Sequence, residues 1–138
     1  MNKSMEYFPI ATVADHYDLP ISTLHHWERQ NLLMPHRRAG RRVYNRDQVY
    51  RIALIKLWRT TGRLGLTDIG AVLDRETEGE WRAIISARMR ALEAEMETLA
   101  AAHEYLRTLL ECRQHGDPAR CPGFRASVSV PASANRRE

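Results

Sequence analysis

Between residues 80 and 115 the chain contains neither glycine nor proline. Within that stretch Ile85, Met89, Leu92, Met96, Leu99, His103, Leu106 and Leu110 follow one another in alternating steps of four and three. This spacing is a heptad seam, in which residues recurring every 3.5 positions line one side of a single helix over about four heptads. Glu and Ala crowd the surface between the seam positions. A stripe this long exceeds what the small preceding segment can cover, so a partner helix is expected, and pairing with a second copy is the usual solution. Packing back onto the chain's own head is the competing arrangement. His103 is the polar member of the seam, either fixing register or sitting partly exposed with no special role.

Upstream, the chain reads as a small helical unit. Pro9 suits a helix entrance, and Ile10, Val13, Ala14 and Tyr17 keep helical spacing over about two turns. Asp18 tolerates a left-handed turn, and Pro20 restarts a helix with Ile21, Leu24, Trp27 and then Leu32 as its apolar positions. Two short helices across a tight turn form a helix-turn-helix pattern. Met34-Pro35 is expected to end the second helix. A basic hairpin follows, Arg37-Arg38-Ala39-Gly40-Arg41-Arg42, with Ala39-Gly40 at the turn and Val43-Tyr44 on the return strand. Asn45 caps a helix from Arg46 to Thr60, with Val49, Ile52, Ala53, Ile55, Leu57 and Trp58 as buried candidates. Gly62 and Gly65 mark a break, and Thr67 caps or leads into a short helix holding Ile69, Val72 and Leu73.

Charge divides along the same lines. Residues 1–70 carry 11 Lys+Arg against 6 Asp+Glu, residues 71–111 carry 5 against 9, and residues 112–138 carry 5 against 2. A basic head on an acidic middle localises polyanion binding to the head. A helix beside a tight arginine hairpin can hold a duplex, the helix entering the major groove while the arginines hold phosphates. By position, Ile21, Ser22 and His25 are candidates for base edges, Ile21 meeting a thymine methyl unless it is core. Arg37, Arg38, Arg41 and Arg42 are candidates for phosphate contacts, and Trp27 donates its indole N–H to a phosphate or packs inside.

In order, Thr23-Leu24-His25-His26-Trp27-Glu28, Asn31-Leu32-Leu33-Met34-Pro35, Arg41-Arg42-Val43-Tyr44 and Leu66-Thr67-Asp68-Ile69 resemble the head signature of the MerR family of transcriptional regulators, over about residues 7–125. The resemblance implies an all-α fold with a small β wing: a winged helix-turn-helix head followed by a long antiparallel coiled-coil dimerisation helix. It also implies that His26, Trp27 and Tyr44 join the DNA-binding set. A homodimer would bind a pseudo-palindromic promoter operator in double-stranded DNA and distort it, acting on RNA polymerase indirectly. The chain departs from the pattern at several positions. His25 stands where the family usually has Arg, Arg41 replaces the wing Tyr, and Asp18 replaces the turn Gly. A neutral histidine offers one donor and one acceptor, unlike a guanidinium fork, so the operator differs and affinity leans on the wing arginines.

Metal-sensing members of the family carry paired cysteines in a loop after the dimerisation helix, and Cys112 and Cys121 occupy matching places with His115 between them. Two thiolates suit a soft two-coordinate ion such as Cu(I), whereas Zn(II) wants four ligands, drawing on His115 and the partner subunit. Divalent-ion sensors place a further cysteine near the start of the dimerisation helix, where this chain has Thr77, which argues against a mercury- or zinc-type site. A reversible disulfide, with Gly116-Asp117-Pro118 folding the loop, and inert packing cysteines are the other readings.

The expected division is a DNA-binding head at 1–75, a dimerisation helix at 76–112, a cysteine-containing effector loop at 113–126 and a disordered tail at 127–138. No apolar run approaches the roughly 18 residues of a membrane span, and no signal peptide precedes the head, so a soluble, cytoplasmic protein with no membrane partner is expected. No Gly-rich phosphate loop, Ser/His/Asp arrangement or HExxH motif points to an enzyme. His25 and His26, adjacent on a helix, point about 100° apart and converge poorly on a metal. An effector-independent DNA-binding regulator remains open, as does a coiled-coil interaction protein whose basic head binds an acidic partner.

Overall fold

The computed structural model describes residues 6–74, 79–112 and 116–133. They fall into two compact units, one reaching Ala91 and the other beginning at Leu92. The first unit opens with a strand, β1 (Tyr7–Pro9), where the sequence suggests only an apolar helix entrance. β1 pairs antiparallel with β3 (Arg41–Asn45), Phe8 opposite Tyr44, and β3 pairs on its other edge with β2 (His36–Arg38), Arg37 opposite Arg42. A three-residue strand lacks the length to show an alternating pattern, so only its long-range pairing defines it.

Helices α1 (Ile10–His16) and α2 (Ile21–Arg29) follow Pro9 and Pro20, each proline standing in extended geometry at the N-cap. Both helices end in the same way. Asp18 and Asn31 lie in the left-handed region, at φ 53° and 60°. The next amide reaches back, Leu19 N–H to Ala14 C=O at 2.9 Å and Leu32 N–H to Trp27 C=O at 3.0 Å. These are Schellman motifs, which satisfy carbonyls that the helix end leaves orphaned. The terminator of α2 is therefore Asn31 and not Met34-Pro35, because the backbone reversal is complete before the proline is reached.

At the β2–β3 turn Ala39 and Gly40 both have positive φ, 52° and 74°, the signature of a two-residue hairpin whose twist matches its strands. Asn45 caps α3 (Arg46–Thr60) as expected, its side chain accepting from the Gln48 amide at 2.9 Å. α4 (Leu66–Leu73) is preceded by Gly65 at the N-cap with no side-chain cap, so Thr67 lies inside the helix and caps nothing.

The core of this unit gathers Val13, Ala14, Leu24, Trp27, Leu32, Leu33, Tyr44, Ile52, Ile55, Leu64 and Ile69 around the helix-turn-helix. Each fully buried Leu or Ile is worth about 1.5–3 kcal/mol relative to exposure. Val49 and Trp58 pack at its edge, whereas Leu57 is 52% exposed and leaves the expected buried set. Two cations of α3 tie the helix ends together: Lys56 Nζ donates to the Tyr17 carbonyl and Arg51 Nε to the Leu32 carbonyl. At Tyr17, the C-cap of α1, positive charge is favourable on dipole grounds as well.

α5 (Trp81–Leu110) is one unbroken 30-residue helix. None of its residues is buried. Ile85 packs on the edge of the head core, but Met89, Met96, Leu99, Leu106 and Leu110 are all more than half exposed. In the second unit the chain beyond α5 forms a 3-10 turn (Pro118–Arg120) and a short helix, α6 (Pro122–Ala126), neither of which was expected from sequence. Among the described residues no helix is long and apolar enough to cross a membrane.

Candidate nucleic-acid interface and thiol pair

The first turn of α2 and the β2–β3 hairpin belong to one continuous fold unit, and together they present the residues expected to meet DNA. Ile21 is 42% exposed at the start of α2, so it is a surface residue and not core. Ser22 and His26 are exposed, and His25 is half-buried. On the hairpin Arg37, Arg38 and Arg41 are exposed. Arg38 lies over the Tyr7 ring, 4.0 Å from its centroid, so β1 supplies the platform that orients it. The Tyr7 ring in turn meets His36 in a T-shaped contact, and His36 pairs with Asn45 at 3.2 Å.

Two members of the expected DNA-binding set lie inside the fold. Trp27 is 3% exposed and Tyr44 fully buried, both in the core, so neither ring is a surface element. Tyr44 donates its hydroxyl to Glu28 Oε1. Burial first, then this hydrogen bond and the Glu28 charge, push the phenol well above its usual range, while Arg42 opposes the shift.

Glu28 is the residue that sequence reasoning did not single out. Its side chain, 9% exposed, also takes Arg42 Nε on Oε2 at 3.1 Å. Arg42 Nη1 meets His25 Nε2 at 3.0 Å. A half-buried chain of four groups, His25–Arg42–Glu28–Tyr44, thus crosses from α2 to β3. A buried carboxylate is costly unless paired and hydrogen-bonded, and Glu28 has both kinds of partner. The available signal was the Glu closing the Thr23–Glu28 motif, but its target lies 14 to 16 residues further along and cannot be read from local spacing.

The second unit holds the cysteines. Cys112, exposed, and Cys121, half-buried, place their sulfurs 3.8 Å apart beside a cleft of about 370 Å³ whose lining includes Leu109, Asp117, Arg120 and Phe124. The Asp117 side chain accepts from Ala119 N–H and Arg125 Nε donates to the Ala119 carbonyl, which tightens the turn that returns Cys121 toward Cys112. The Cys121 thiol is held below its usual range by the Phe124 amide, with burial opposing and the Cys112 thiol and Gly123 amide assisting. Two thiolates on one ion at about 2.3 Å stand roughly 3.8 Å apart at a tetrahedral angle and up to about 4.6 Å apart when collinear, so the pair fits a shared soft ion. Among the described residues no third His, Cys, Asp or Glu completes a metal cluster. His115, expected as a further ligand, lies outside the described residues, as does Thr77.

A winged helix-turn-helix head followed by one long helix defines a class of DNA-binding regulators. Residues 8–76 match the MerR HTH family of regulatory proteins, and the chain belongs to that family. A search of curated proteins finds no match. Among solved structures, the transcription regulator PbrR691 from Ralstonia metallidurans CH34, crystallised in complex with lead(II), is similar with a TM-score of 0.70 and 20% identity, over 86% of this chain and 98% of that one. A MerR-family transcriptional regulator from Bacillus cereus has a TM-score of 0.61 and 22% identity, over 88% and 93% of the two chains. HiNmlR, a MerR-family regulator lacking the sensor domain and bound to promoter DNA, has a TM-score of 0.54 and 18% identity, over 77% and 89%.

Proposed function

We propose that this MerR-family DNA-binding regulator acts in the cytoplasm as a homodimer, joined along the α5 seam, on a pseudo-palindromic promoter operator. The observation that carries the reading is the joint presentation, on one fold unit, of the exposed first turn of α2 and the exposed arginines of the hairpin. Ile21 and Ser22 contact base edges, with His26 beside them, and Arg37, Arg38 and Arg41 hold phosphates. Dimerisation is supported by five large apolar seam residues of α5 that are more than half exposed. The dimer bends and untwists its operator, a deformation of several kcal/mol offset by contacts along the bent duplex, and so acts on RNA polymerase through the DNA.

The effector acts at Cys112 and Cys121. Their 3.8 Å separation and the shift of Cys121 toward thiolate support capture of a soft ion, and a set of two thiolates suits Cu(I) better than four-ligand Zn(II). Bound there, the ion would cross-link the end of α5 to the turn before α6. The same two observations also favour a second reading, reversible oxidation of the pair to a disulfide.

Binding of promoter duplex and of random duplex by the full-length protein, at 50 and 200 mM salt, tests the DNA reading. With roughly six to ten phosphates neutralised per dimer, affinity falls about 10³- to 10⁵-fold across that range while the promoter preference persists. Equal binding of any acidic polymer would instead indicate an interaction protein with a basic head. In vitro transcription with Cu(I), Zn(II) or oxidant then separates the effector readings. If Cys112→Ser and Cys121→Ser leave every response intact, the thiol pair is not the sensor.

A further inference from the structure

His25 sits on the recognition helix, yet the structure commits its ring to a neighbour. Its Nε2 lies 3.0 Å from Arg42 Nη1. A guanidinium only donates, so this contact is a hydrogen bond only when the imidazole nitrogen facing it accepts, with the ring's proton on Nδ1. Arg42 is held from its other side by Glu28, whose carboxylate also takes the Tyr44 hydroxyl. The wing is thereby fastened to α2 through side chains as well as through the core. The elements that meet at His25 carry further ionisable groups, His26, Glu28 and Arg29 on α2 and Arg41, Arg42 and Tyr44 on β3, and Arg37 of β2 stands opposite Arg42 in register.

We infer that His25 is a positioning residue for operator recognition: in its neutral form it locks the wing arginine Arg42 to the recognition helix, and its protonation unlocks it. The inference rests on the DNA-reading function proposed above and says how the two parts of that reading unit are held in register. Histidine is the side chain that changes charge between about pH 5 and 8. A protonated ring cannot accept from Arg42 and sets a second cation against it, while the carboxylate that could mediate is already shared by Arg42 and Tyr44. The consequence differs for the two kinds of DNA binding. Non-specific grip depends on positive charge and does not weaken when a proton is added. Discrimination depends on the angle at which α2 and the wing meet the duplex together, and that is what the unlocked state loses. The separation of these effects distinguishes a positioning role from a simple phosphate contact, which would strengthen both.

Two measurements on the full-length chain test this. Long-range proton–nitrogen NMR of the histidine rings at neutral pH is expected to show His25 with its proton on Nδ1, a preference lost in Arg42→Ala; an Nε2-protonated His25 in the unaltered protein overturns the lock. The second compares a duplex selected by the protein from a random library at about pH 7.5 with a scrambled duplex of the same length, down to about pH 5.5. The ratio of the two affinities is expected to fall roughly 2- to 10-fold, the worth of one hydrogen bond. His25→Gln, which keeps an acceptor but does not titrate, is expected to hold the ratio flat. His25→Leu, with no acceptor, is expected to have the lower ratio at every pH. The same acid response in the unaltered protein and in His25→Gln overturns the positioning role alone. A protein that selects no duplex at any pH overturns the DNA-reading function, and the positioning role with it.

Discussion

Glu28 holds the head together at a point where a hydrophobic core offers no help, because the residues that meet there must leave polar atoms pointing at one another. Its carboxylate accepts from Tyr44 and pairs with Arg42, and each partner sits on β3. Tyr44→Phe keeps the ring in the core and removes one donor from a mostly buried carboxylate. Thermal or urea unfolding is expected to show a loss of about 1–3 kcal/mol, the cost of leaving a charged acceptor short of a partner. The raised Tyr44 pKa fixes the sign of a pH effect. The fold favours the neutral phenol, so its contribution is complete below the unfolded tyrosine value near 10 and is lost as pH rises beyond it. At Cys121 the sign is reversed, since the Phe124 amide favours the thiolate. The alkylation rate of Cys121, followed by peptide mass spectrometry against pH, is expected to show its inflection below the ordinary thiol value of about 8.5. A profile centred at or above that value would remove one of the supports for soft-ion capture.

At the scale of elements, the two helices of the helix-turn-helix are terminated by residues that tolerate left-handed backbone less well than glycine does. Asn31, at φ 60°, closes the Schellman motif of α2 with Leu32 and Trp27 packed together in the core behind it. Asn31→Gly is expected to raise stability or leave it unchanged, within about 1 kcal/mol, since strain relief competes with the greater freedom of the unfolded chain. Asn31→Val, which adds β-branching at positive φ, is expected to cost more than that and to lower the melting temperature. The ends of α1 and α2 were only partly legible in the sequence. Asp18 announces its turn because Asp tolerates left-handed backbone better than most residues. The end of α2 did not, because Met34-Pro35 looked like the stronger stop, and what decided the matter was a backbone reversal that buried Leu32.

At the scale of the whole molecule, α5 carries the proposed interface. Met96 and Leu99 are each 67% exposed, and the proposed second copy would cover them. Leu99→Glu offers a clear discriminator. In a monomer, an exposed substitution shifts stability by no more than about 0.5 kcal/mol. In a dimer the new carboxylates are buried in the seam, and sedimentation is expected to show single chains at concentrations where the unaltered protein pairs. If Leu99→Glu sediments like the unaltered chain, the seam is not the dimer interface.

The sequence by itself determined the helical periods, the cap at Asn45, the Ala39-Gly40 turn, the unbroken run of α5 and the order of motifs, because each of these depends on residues within a few positions of one another. Only the tertiary structure decided that Tyr7–Pro9 is a strand, that Trp27 and Tyr44 face inward, that Glu28 gathers Arg42 and Tyr44, and that Cys112 and Cys121 stand 3.8 Å apart. Those facts depend on which surfaces the chain brings together across long separations. Burial and polar pairing settle that, and neither is carried by any one residue's neighbours in the chain.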